Sequence, residues 1–138
     1  MSTILLRIAS VVFAFYTFGH TYGAMIKQPK GGGPLKQATI AAMRSYHETL
    51  QGASRSYWDF YTGFGWFVSC ALLLFAILCW QLGSVARTQP ATARPLILTL
   101  FVVSIPMTVL GYTNFFAAPA ILSTVATLLL GAAAFTLP

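Results

Sequence analysis

Charge is the scarcest commodity in this sequence: Asp, Glu, Lys and Arg together make up 7% of its 138 residues, against about 25% in an ordinary soluble domain. Acid is scarcer still, with Glu48 and Asp59 as the only carboxylate side chains. Cysteine is limited to Cys70 and Cys79. Nine helical positions place those two thiols on opposite sides of a helix, which excludes an intrahelical disulfide or a shared metal. HExxH, CxxC and His-x3-His spacings are missing as well, so no metal site is expected. The run KQPKGGGP at Lys27–Pro34 resembles a phosphate-cradling loop only superficially, since no strand precedes it and no GKS or GKT follows. Two prolines bracketing three glycines read instead as a breaker segment. The formal charge of +6 is spread through connectors with no nucleic-acid-binding motif, which excludes nucleic acid as a partner and points to membrane lipids.

Apolar residues fill the space that charge leaves. At 57% hydrophobic, a chain of this length cannot bury its apolar surface by itself, because a domain of about 150 residues still exposes roughly a third of what its unfolded form exposes. Lipid supplies the missing burial. Four stretches meet the roughly 20 apolar residues needed to cross about 30 Å of hydrocarbon: about 4–25, 57–86, 96–112 and 119–137. Pro106 is expected to kink the third, with Ser104 and Thr108 satisfying backbone groups that it frees. Thr113–Ala118 is short enough to make the last two spans an antiparallel helical hairpin. The first stretch reads as a span rather than a signal peptide, since its apolar run is long and Tyr16, His20 and Tyr22 fit a small-residue cleavage site poorly. Lys and Arg flank both sides of the spans, so the positive-inside rule gives no clean orientation.

Eight of the twelve Asp, Glu, Lys, Arg and His residues lie in one connector, Ile26–Thr62. Within it, residues 35–50 have Ile40, Met43, His47 and Leu50 at three- and four-residue intervals, which predicts an amphipathic helix on the membrane interface, stopped by Gly52. Arg44 and Glu48 would then form an i,i+4 pair. His47 reads either as an interface histidine or as a ligand or relay group beside Glu48 or Asp59.

The connector closes on SRSYWDFYTGFGW, Ser54–Trp66, where aromatic residues crowd around Asp59. Trp58, Tyr61 and Trp66 suit an interfacial aromatic belt. Asp59 is costly at that depth unless paired, hydrogen-bonded or hydrated, and Arg55 one helical turn earlier would offer an ion pair; a helix-start cap is the other structural role. Otherwise Asp59 serves as a proton acceptor, a cation site or an anchor for a polar ligand. His20, late in the first span between Gly19 and Gly23, is an intramembrane ionisable group and so a second candidate. The two glycines share a face that lets a neighbouring helix approach, and His20 needs a partner of its own. The candidate ligand-binding or relay set is therefore His20, Asp59, His47, Arg55, Tyr61 and Trp58.

GHTYG late in the first span, Met43 in the connector, SYWDFYTGFG opening the second span and RPL before the third together resemble an uncharacterised family of short four-helix bacterial integral membrane proteins. That resemblance implies that Gly19-His20-Thr21 and Trp58-Asp59-Phe60-Tyr61-Gly63-Phe64 belong to one shared site or packing core, and it implies no reaction. A looser similarity, of architecture alone, is to DoxX-like four-helix proteins linked to quinone chemistry. The expected protein is all-α and polytopic: a single domain of four antiparallel transmembrane helices with an interfacial helix between the first two, in a bacterial cytoplasmic membrane. The expected function is a non-enzymatic binding or accessory component, as a homo-oligomer or beside a partner membrane subunit, with a small polar site near one interface. The alternatives are an oxidoreductase component handling quinone or haem, the latter through His20 and His47, and ion or proton translocation through His20 and Asp59.

Overall fold

A computed structural model describes residues 1–27 and 33–137. Most of the KQPKGGGP breaker, residues 28–32, lies outside the described residues. Helix α1 (Ser2–His20) runs into a π-helical stretch, Thr21–Ile26. Then come α2 (Pro34–Ser45), strands β1 (His47–Leu50) and β2 (Ala53–Ser56), α3 (Tyr57–Thr88), α4 (Pro90–Asn114) and α5 (Ala117–Phe135). Ser2–Ile26, α3, α4 and α5 are each long and apolar enough to cross a membrane. The protein is thus a helical, multi-pass membrane protein, and the exposed Leu, Ile, Val and Phe side chains of those four helices suit contact with lipid.

Two expectations from the sequence need correction. The third helix starts at Pro90 rather than after Pro95, because proline suits the first helical position, where its missing N–H would have no partner. Pro95 and Pro106 both lie inside α4, where Ser104 Oγ donates to Phe101 O at 2.7 Å and Thr108 Oγ1 to Ser104 O at 3.1 Å. The connector helix, expected to reach residue 50, stops at Ser45 and gives way to an antiparallel hairpin. Gln51 and Gly52 both take positive φ, 51° and 82°, the combination that a two-residue hairpin loop needs. Gly52 is therefore a hairpin residue and not a helix stop. The expected Arg44–Glu48 helical pair is lost with that turn of helix: Glu48 pairs across the hairpin with Arg55.

The chain divides into two compact units, Met1–Thr17 with Ala71–Pro138, and Phe18–Cys70. The first holds the apolar core, in which Leu6, Phe13, Leu72, Cys79, Ile97 and Leu130 are at most 1% exposed. Phe13 and Phe75 rings lie 5.0 Å apart, and Ser10 Oγ donates to Ala76 O at 2.7 Å, tying α1 to α3. Helices α4 and α5 form the expected hairpin. Thr108 and Thr127 hydroxyls meet at 3.0 Å, and Thr127 also donates to Ser104 O at 3.1 Å.

Close approach in that hairpin depends on Gly111, where a Cβ would stand 3.0 Å from Ala120 Cα and 3.1 Å from Ser123 Oγ. Because the obstacle is backbone, Gly111→Val should destabilise the protein by about 1–3 kcal/mol, read as a lower thermal midpoint in detergent. An unchanged midpoint would show that the hairpin does not need this contact.

Candidate functional site

The second unit is built differently. Among its described residues only Ser56 and Ser69 are buried, at 4% and 5% exposure, and both are hydrogen-bonding hubs rather than apolar packing.

Ser69, in the middle of α3, receives the end of α1. Thr21 Oγ1 donates to Ser69 Oγ at 2.9 Å, and His20 Nδ1 lies 3.0 Å from the same oxygen. The Ser69 hydroxyl accepts from Thr21 and keeps both a proton and a second lone pair with which to meet His20 Nδ1. His20 thus has the interhelical partner that its position demanded. The helix changes pitch directly after it: Lys27 N–H bonds Tyr22 O at 2.7 Å, an i→i+5 closure, and such π-helical segments recur at functional positions. In this stretch Met25 Sδ and Cε occupy the space a Cβ would need at Gly65. Close approach therefore falls at Gly65. It does not fall at Gly19 and Gly23, where no described atom lies within 4 Å of a would-be Cβ.

Ser56 organises the other node, at the start of α3. Its backbone N–H and its Oγ both reach Asp59 Oδ2, at 2.8 and 2.9 Å, while the Asp59 N–H lies 3.2 Å from Ser56 Oγ. This is a capping box: the hydroxyl and the carboxylate together satisfy amide groups that the first helical turn leaves open. The negative charge also suits the positive end of the helix dipole. The pattern Ser56-x-x-Asp59 before an apolar run signals such a cap in the sequence.

The hairpin brings more polar groups to this node. His47 pairs across the strands with Ser56, and its Nδ1 lies 3.0 Å from Ser45 O. Arg55 donates from Nη1 to Ser54 O at 3.0 Å. Trp58 carries the Arg44 guanidinium 4.8 Å from its ring centroid on one side and Tyr61 at 5.5 Å on another. Asp59, Arg55, His47, Trp58 and Tyr61 therefore gather around one helix start.

His20 stands apart from that group. Its partner Ser69 lies ten residues beyond Asp59 along α3, about 15 Å at the rise of an α-helix. The two histidines are further separated, since His47 is level with Ser56 and His20 with Ser69, about 20 Å along the same axis. That spacing does not bring both rings to one haem iron, and it leaves His20 and Asp59 out of direct proton-transfer contact. Among the described residues no three His, Cys, Asp or Glu side chains cluster as metal ligands.

Next to the capping box, a shallow groove of about 210 Å³ runs along α3, lined by Arg55, Asp59, Phe60, Gly63, Phe64 and Phe67. A guanidinium and a carboxylate stand at its upper end and three phenylalanines below. Gly63 lies open between them, with no described atom within 4 Å of a would-be Cβ. Phe64 and Phe67 are 68% and 75% exposed. The surface is thus amphipathic along its length, polar at the helix start and aromatic toward the middle of the span. Compared with family models, curated proteins and solved structures, the chain gives no match.

Proposed function

We infer that the protein is a non-enzymatic binding or accessory component of a bacterial cytoplasmic membrane, and that the α3 groove holds an amphiphile. The carrying observation is the groove lining itself: Arg55 and Asp59 at one end, then Phe60, Gly63, Phe64 and Phe67. A zwitterionic headgroup matches the charged end, anion toward Arg55 and amine toward Asp59, while an acyl chain lies over the phenylalanines. Asp59 keeps acceptor capacity for this role because Ser56 engages Oδ2. Trp58 and Tyr61 fix the level of the headgroup as an interfacial belt. The Gly19–Gly23 face supports the accessory part of this reading, since it has the small-residue spacing that admits a neighbouring helix and no described atom lies within 4 Å of a would-be Cβ at either glycine. The resemblance to short four-helix bacterial membrane proteins supports the location.

Native mass spectrometry of protein released from phosphatidylethanolamine nanodiscs tests the reading. Asp59→Asn keeps a carbonyl oxygen for the Ser56 N–H while removing the charge, and Arg55→Gln does the equivalent for the guanidinium. Each should weaken retention of the lipid about tenfold or more, the scale of a lost charge-assisted hydrogen bond. Equal adducts in wild type and both variants would refute the headgroup assignment. An adduct with the mass of a quinone would move the groove to the oxidoreductase reading.

A further inference from the structure

The unit formed by Met1–Thr17 and Ala71–Pro138 contains an intramembrane cation that the groove does not use. Arg7 sits five residues into α1, about 8 Å of helix from its start. Its guanidinium carbon lies 3.6 Å from the Trp80 ring centroid, and Nη2 donates to Ser84 Oγ at 2.8 Å. Gly83 leaves room for the stem: a Cβ there would stand 3.1 Å from Arg7 Nε and 3.4 Å from Cδ. Trp80, Gly83 and Ser84 thus form a seat on α3 for one arginine of α1.

What the seat lacks is negative charge. Neither side-chain carboxylate of the chain, Glu48 or Asp59, belongs to this unit. Nη1 is buried with no hydrogen-bond partner among the described residues. Trp80 offers a π face and Ser84 a neutral dipole, yet a charged group inside a membrane helix is normally paired. The seat is open at one edge, since Ser84 is exposed. Arg87 follows Ser84 by three positions, on the same face of α3. Among the described residues no carboxylate pairs with Arg7, so an external anion is the counter-charge this edge suits.

We propose that Arg7, seated between Trp80 and Ser84, binds the phosphate of an anionic phospholipid headgroup. An arginine this near a helix end reaches the headgroup layer with its stem in hydrocarbon, and Nη2, the nitrogen at the Ser84 edge, can give a charge-assisted bond to a phosphate oxygen. The phosphate approaches the Ser84 edge, where it accepts a charge-assisted bond from Nη2 beside the Ser84 hydroxyl. An anionic lipid is selected over a zwitterionic one because the cation of the latter offsets the charge that Arg7 requires.

Phosphatidylglycerol, phosphatidylcholine and inorganic phosphate are titrated separately into the full chain in detergent, with thermal midpoint as the readout. The expected result is a larger upward shift with phosphatidylglycerol than with phosphatidylcholine, whose shift through the α3 groove should be the same in wild type and Arg7→Gln, and none with inorganic phosphate. Arg7→Gln should weaken phosphatidylglycerol binding roughly tenfold or more, and Arg7→Lys should retain part of it. An equal response of wild type to phosphatidylglycerol and phosphatidylcholine would overturn the proposal without any variant having to fold. So would an Arg7→Gln protein that binds phosphatidylglycerol as wild type does, or inorganic phosphate binding in place of the lipid.

Discussion

Gly63→Leu should leave the protein folded and empty the groove. The position is open, since a Cβ there has no described atom within 4 Å, and leucine is a better helix former than glycine by about 0.8 kcal/mol. The new side chain instead takes the space among Asp59, Phe60, Phe64 and Phe67, where the ligand chain would lie. An overpacking cost of about 1–3 kcal/mol against the ligand corresponds to roughly tenfold to hundredfold weaker binding. Titration of phosphatidylethanolamine into wild type and variant measures this. Thermal stability equal to or above wild type with lost binding is the expected pair of results; unaltered binding would mean that the ligand does not pass Gly63.

Ser69→Ala should have the largest effect on the order of the second unit. One hydroxyl serves both His20 Nδ1 and Thr21 Oγ1, and its removal strands two polar groups inside a spanning segment. Interhelical hydrogen bonds in membranes contribute about 0.6–2 kcal/mol each, so losing both opens the end of α1 about tenfold more often or beyond. Hydrogen exchange of the Thr21–Ile26 amides should accelerate by that factor, while Ser69→Thr, which keeps the hydroxyl, should restore protection. Identical exchange in Ser69→Ala would show that Met25 packing at Gly65 alone holds this stretch in place.

The parts of the fold visible in the sequence are those set by composition. Long apolar runs have one solution in lipid, so the four spans and the α4–α5 hairpin follow from hydropathy and from the shortness of the turn at Phe115–Phe116. The connector resisted the same reasoning because its apolar spacing fits a helix through Leu50, while the local chemistry of Gln51-Gly52 fits a hairpin turn. Turn chemistry prevailed, since two residues with positive φ cannot continue a helix.

The candidate site was legible by residue type more than by pairing. Asp59 stands out as an acid in an aromatic run, yet its partner proves to be Ser56, three residues back, rather than an Arg55 ion pair or His20. Ser69 gave no signal of its own, because one serine in an apolar span is common and only the fold places His20 and Thr21 upon it. Gly19 and Gly23 carry the spacing for close helix approach, and Gly65, outside that pattern, makes the contact. Spacing along one helix does not specify which face a neighbour takes.

The central claim is that the α3 groove holds one defined amphiphile rather than bulk lipid. A photoreactive amino acid at Phe67, which lines the groove, compared with one at neighbouring Val68, which does not, tests this most directly. Irradiation in native membranes followed by mass analysis should give a single dominant lipid-like adduct at position 67 and a mixture matching bulk membrane composition at position 68. The same mixture at both positions would contradict the account.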